Sequence, residues 1–191
     1  MKRKILMILS ALSISLSCLA QQEGLMTDKP GKDGSRFIGT YYHYMSSGFT
    51  DTNPVGLSIY SDINKKRILY FLSVRMSNVT YPKGGIMLIK TSEGEIIELK
   101  QIQNDYDTES SHYIPNVGVV KKGTGFYPIT IEELNTINQD GIAKVRIETS
   151  GQVIDREYKE KQIERYKKEF SSMFSLILKS ISEKKDIYTD F

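Results

Sequence analysis

The chain has 191 residues, with 26 Lys and Arg against 23 Asp and Glu, a net charge of +3, one cysteine and no tryptophan. Three of the basic residues, Lys2, Arg3 and Lys4, stand at the extreme N-terminus, and without them the charges balance at 23 each. That balance removes the case for a basic surface for nucleic acid or anionic lipid, and a lone thiol excludes a disulfide framework and a Cys-ligated zinc site.

Lys2 to Lys4 lead into an apolar run, Ile5 to Leu19, diluted only by small residues, and Cys18 and Ala20 place small side chains just before Gln21. Residues 1–20 therefore have the three-part layout of a secretory signal peptide, too short for a comfortable bilayer span. The expectation is an exported protein, periplasmic or secreted, whose mature chain is neutral, lacks a thiol and has no transmembrane span. Cys18 carries the alternative. A lipoprotein leader is cut just before a cysteine that is then lipidated, and Ser17 suits the preceding position, so Cys18 could anchor the protein in the envelope.

Residues 21–35 carry three glycines, a proline and scattered charges without apolar periodicity, which reads as a flexible linker. Residues 36–191 then read as a single β-rich domain with a C-terminal helix. Phe37 to Met45 is rich in tyrosine and isoleucine, as strands are. Val55, Leu57 and Ile59 alternate with Gly56, Ser58 and Tyr60, the period of a half-buried strand. After a turn at Asp62 to Lys65, the run Arg67 to Ser77 alternates through Ile68, Tyr70, Leu72, Val74 and Met76. Leu69 and Phe71 lie on its other face, so that end is expected to be covered on both sides. Ile86 to Ile89 and Ile96 to Leu99 flank Ser92-Glu93-Gly94, a hairpin. Weaker strands are expected at 112–120 and 125–129. Thr130 and Glu133 fit a capping box that opens a short helix ending near Gly141. Residues 143–149 and 152–158 form a last hairpin about Ser150-Gly151.

Ile163, Tyr166, Phe170, Met173, Phe174, Ile177 and Ile181 recur at spacings of three and four, one apolar stripe of a long amphipathic helix. Over residues 160–183 it would run about 36 Å at ~1.5 Å per residue, enough to cover a sheet face. Leu176 lies opposite the stripe, so either that end is buried on two sides or Leu176 contacts a second copy in a homodimer.

Candidate chemistry is sparse. Asp105, Asp107 and Glu109 alternate as oxygen ligands of a hard cation would, but Ser110 and Asn116 break the calcium-loop pattern, and a solvated acidic loop is the plainer reading. His43 and His112 are the only histidines, and no Gly-x-Ser-x-Gly elbow accompanies them. No cofactor is implied. Tyr41, Tyr42 and Tyr44 crowd one strand and must point to both of its faces, which makes them candidates for contact with a protein or glycan partner.

Tyr127 to Leu134, the strand Gly141 to Thr149, the charged helix after it and the Ser-Glu-Gly hairpin upstream form a run that resembles small exported β-rich proteins of Gram-negative bacteria. The resemblance implies a fold and carries no catalytic residues. Gly39-Thr40-Tyr41 also resembles the lipocalin Gly-x-Trp, with tyrosine in place of tryptophan, and implies a ligand-holding barrel as the alternative. The expected fold is a mostly β (α+β) antiparallel β-sandwich of seven to nine strands, with a short helix before the last hairpin and a long C-terminal amphipathic helix. The expected role is a non-enzymatic binding or interaction module of the cell envelope, with an exported hydrolase as the alternative of another class.

Overall fold

A computed structural model describes residues 25–30, 35–48, 51–64, 67–102, 110–114 and 118–182. The strands, in chain order, are β1 (Leu25–Pro30), β2 (Arg36–Thr40), β3 (His43–Met45), β4 (Val55–Ile63), β5 (Ile68–Ser77), β6 (Ile86–Thr91), β7 (Ile96–Lys100), β8 (Ser110–Ile114) and β9 (Gly118–Ile129). Helix α1 (Ile131–Asp140), strands β10 (Ile142–Glu148) and β11 (Val153–Glu157) and helix α2 (Glu160–Ser182) complete them. They make two antiparallel sheets packed as a sandwich. The larger has the order β1-β2-β4-β5-β9-β8, with β3 pairing β4 beyond the end of β2; the smaller has the order β11-β10-β6-β7.

Period two sets which face each strand buries. Ile38, Leu57, Ile59, Leu72, Val74, Met76, Tyr127 and Ile129 point from the large sheet into one continuous core. Met87, Ile89, Ile97, Leu99, Val145, Ile147 and Ile154 meet them from the small sheet. The chain leaves β5 for the other sheet at Asn78, whose φ of 55° lies in the left-handed region that asparagine tolerates. The two layers touch laterally where Ile102 N–H donates to the Phe126 carbonyl at 3.0 Å.

The small sheet leaves part of the large sheet's inner face open, and the helices fill it. Helix α2 packs against β2, β3 and β4 on one side and β10 and α1 on the other. Its stripe is buried at Tyr166, Phe170, Met173, Phe174 and Ile177, with Ile163 and Ile181 packed at the margins. Helix α1 starts at the expected capping box: Glu133 N–H donates to Thr130 Oγ1 at 3.1 Å, and Thr130 N–H donates to Glu133 Oε2 at 2.8 Å. None of the described helices is long and apolar enough to cross a membrane.

Three expectations change. Leu25–Pro30, read as part of a flexible linker, is strand β1, with Thr27 opposite Gly39 and Lys29 opposite Phe37. An edge strand held by its backbone ladder and by the Arg36–Asp28 ion pair needs no apolar alternation, so pattern reading passes over it. The Phe37 to Met45 strand divides into β2 and β3, because the chain breaks at Tyr41-Tyr42 to fold Tyr42 over the sheet. With β1, that raises the described strands to eleven. The Ile68 end of β5 is only partly covered: Ile68 is 41% exposed, and Leu69 and Phe71 are half-buried. Finally, the two sheets around a filled core are the expected antiparallel sandwich, and the alternative, the closed barrel that Gly39-Thr40-Tyr41 implied, is excluded.

Candidate functional site

The outer face of the large sheet, which faces away from the small sheet, holds a second group of aromatic side chains. Register places them in rows across the strands. Phe37, Asp62 and Leu69 form one row, Gly39, Tyr60, Phe71 and Pro128 the next, Ser58, Ser73 and Phe126 the third, and Tyr44, Gly56, Arg75 and Thr124 the fourth. Tyr42, Tyr60 and Phe126 are buried together, with Phe37, Phe71 and Ile102 packed around them. The Phe37 and Tyr60 rings stack at 5.2 Å and 26°, and Phe126 meets Tyr60 edge-on at 5.3 Å and 70°, both preferred aromatic geometries.

Two glycines make this packing possible. A Cβ on Gly39 would lie 2.2 Å from the Tyr60 ring, and one on Gly56 would lie 2.8 Å from the Tyr44 ring. Each ring lies against bare backbone, where any side chain would displace it. Small residues do the same for Tyr42, whose hydroxyl reaches across the sheet to Ser73 Oγ at 2.6 Å.

Between these rings runs an open groove of about 550 Å³, within the size range of small-ligand sites. Phe37, Tyr60, Phe71 and Phe126 supply its apolar surface, and Thr27, Ser35 and Thr124 its hydroxyls. Its charged groups are Lys29, Arg75 and Asp62, two cations against one carboxylate. Lys29 and Asp62 flank Phe37 at one end. Arg75 stands six residues along β5 from the Asp62 row, about 20 Å at ~3.3 Å per residue. Burial, reinforced by the neighbouring Tyr42, pushes the Tyr60 hydroxyl well above its ordinary value, so it stays protonated and able to donate.

Arg75 is held in place from two sides. Its guanidinium carbon lies 4.0 Å above the centre of the Tyr42 ring, and its Nε donates to Thr124 Oγ1 at 3.2 Å. Among the described residues no carboxylate pairs with it. Its outer N–H groups have no hydrogen-bond partner among the described residues.

The residues singled out from sequence distribute unevenly. Tyr42 is buried beneath Arg75 as part of the groove. Tyr44 is 42% exposed on the same face, beyond Arg75, with Lys122 Nζ 5.9 Å from its ring centre. Tyr41 is 45% exposed and does not line the groove. Leu176 is half-buried on α2, and Leu178 is the exposed leucine of that helix. Asp105, Asp107 and Glu109 lie outside the described residues, as do residues 1–20 with Cys18. Among the described residues, no group of three His, Cys, Asp or Glu side chains could hold a metal ion. His43 faces Glu169, with Nδ1 3.8 Å from Oε2.

Sequence reasoning missed Phe37, Tyr60, Phe71, Phe126 and Arg75 as a set. The available signal was phase: Tyr60 and Phe71 are large aromatics on the face opposite the isoleucines and leucines of their own strands, where a half-buried strand needs only polar residues.

A larger hollow of about 950 Å³ at one end of the sandwich is walled by Ile68, Tyr70, Ile129 and Ile131. It has no counterpart to the held guanidinium.

No protein-family model matches the chain, and no curated protein or solved structure resembles it significantly.

Proposed function

We propose that the protein is an exported, non-enzymatic binding module of the bacterial cell envelope, and that its ligand or partner lies in the aromatic groove on the outer face of the large sheet. The observation that carries this is the second aromatic group. The core between the sheets does not need it, yet four rings and a positioned guanidinium are gathered there around open space. Large rings that are not needed for packing and surround a cleft are the usual anchors of recognition. Export rests on the layout of residues 1–20. In this reading Cys18 either leaves with the leader or remains as a lipid anchor, and the intact mass of the mature protein separates the two.

The test is two-dimensional NMR of the mature protein against a panel of oligosaccharides, short peptides and fatty acids. Shift changes clustered at Phe37, Tyr60, Phe71, Arg75 and Phe126 are expected for at least one member. A panel that leaves these residues unmoved, or moves another surface, overturns the reading.

A further inference from the structure

We infer that the groove takes an acidic saccharide, its carboxylate seated on the outer N–H groups of Arg75 and its sugar rings laid along Phe71 and Phe37. The inference rests on the reading of the groove as the ligand site and adds the chemistry of the ligand.

The charge comes first. A guanidinium stacked on one ring and tied through Nε has lost most of its side-chain freedom before any ligand arrives. The planar fork that remains matches the two oxygens of a carboxylate, and such charge-assisted pairs are among the stronger polar contacts. Binding there costs little further ordering, since the chain has already fixed the donor. Lys29 and Asp62 offset each other at the far end, so the groove as a whole favours a ligand with net negative charge.

The body of the ligand follows from the rest of the lining. Phe37 and Phe71 are partly exposed in the lining, and Tyr60 and Phe126 are buried beside them, so apolar ring surface borders the groove. Such surface suits the C–H groups of a pyranose. Asp62 accepts hydroxyl protons, and Thr27 both donates and accepts, a combination suited to a polyol. The groove crosses the outer face of the sheet and is walled on one side by the edge strand β1.

The test is titration of the mature protein with trigalacturonate, its methyl ester, maltotriose and decanoate, read by NMR shifts and calorimetry. The expected result is trigalacturonate binding that moves Arg75, Phe71 and Phe37, weakens as salt rises, and is at least tenfold tighter than binding of the ester or of maltotriose. Arg75→Gln is expected to weaken trigalacturonate roughly 10- to 100-fold, with Arg75→Lys between the two. The ester arm uses the unaltered protein, so the outcome does not depend on how Arg75→Gln folds. Equal binding of acid and ester overturns the carboxylate seat while the groove stands. Groove shifts with decanoate and none with trigalacturonate overturn the saccharide while the groove stands. Silence of the groove towards all four overturns the inference, and only silence towards the wider panel overturns the groove itself.

Discussion

Gly39 shows how much one missing side chain decides. The Tyr60 ring lies where a Cβ would go, so Gly39→Ala must lift the ring and with it the stack on Phe37. Overpacking of this kind costs about 1–3 kcal/mol, and a thermal melt of the variant should fall accordingly, with the Tyr60 ring resonances displaced. Asp51 makes a different kind of point. Its carboxylate accepts from Ser47 N–H at 2.9 Å, Ser47 Oγ–H at 3.1 Å and Asn53 N–H at 3.2 Å. Arg156 Nε lies 3.3 Å away but out of line for a hydrogen bond, so it acts as a charge. Burial alone would raise this carboxyl, but the backbone N–H groups of Ser47 and Asn53 and the Arg156 charge outweigh it and hold it below its ordinary value. A depressed carboxyl stabilises the fold at neutral pH and loses that contribution as the pH falls below about 4, through the ordinary range towards its folded value. Asp51→Asn should therefore lower stability at pH 7 by about 1–3 kcal/mol. Urea midpoints for the two proteins should converge as the pH falls through the acid range, and a gap that stayed constant with pH would contradict the assignment.

At the scale of elements, the two helices differ in what holds them. Helix α1 is short, and its start depends on a reciprocal pair of hydrogen bonds between Thr130 and Glu133. Thr130→Ala should cost about 1 kcal/mol, measurable by chemical denaturation. Helix α2 depends on burial. Phe170 lies in the middle of its stripe, inside the core it shares with both sheets. Phe170→Ala should cost about 3–5 kcal/mol, in the range for buried aromatics, whereas Leu178→Ala on the exposed side should stay within about 0.5 kcal/mol. The N-terminal half of α2 is also tied to the β3 side of the sheet. Tyr166 O–H donates to the Ser46 carbonyl and accepts from Ser46 N–H, both at 2.8 Å, and Gln162 Nε2 donates to the same carbonyl. Near its other end, Arg36 Nη1 donates to the Ser180 carbonyl at 2.8 Å, next to the ion pair with Asp28. The helix thereby connects the core to β1 and β2, the strands that wall one side of the groove.

At the scale of the whole molecule, the sandwich has unequal layers: among the described residues, seven strands on one side, and four strands with two helices on the other. The small sheet alone cannot cover the inner face of the large one, and α2 supplies the rest. A chain ending at Lys159 would leave Ile38, Leu57 and Ile59 facing water. It should show no cooperative unfolding transition and should bind hydrophobic dyes, and a cooperative melt would mean that the helix is dispensable. The outer face faces a different constraint. Its aromatics are not needed to close the core, which leaves their positions free to serve recognition.

The alternation of Val55, Leu57 and Ile59, the capping box at Thr130 and Glu133 and the stripe from Ile163 to Ile181 were legible in the sequence, because each is a local pattern whose period names the element and the face it buries. The pairing of Ser92-Glu93-Gly94 with its flanking strands was legible for the same reason. The groove was not. Phe37, Tyr60, Phe71, Arg75 and Phe126 come from four strands and meet only through register, and no spacing along the chain encodes which rows lie side by side. Strand β1 escaped because an edge strand held by backbone hydrogen bonds needs no periodic side chains. Sequence determined the core-forming elements and the faces they bury, since burial acts on each of them through its own period. Tertiary structure alone decided which aromatics share the opposite face, since that depends on how antiparallel strands align across tens of residues.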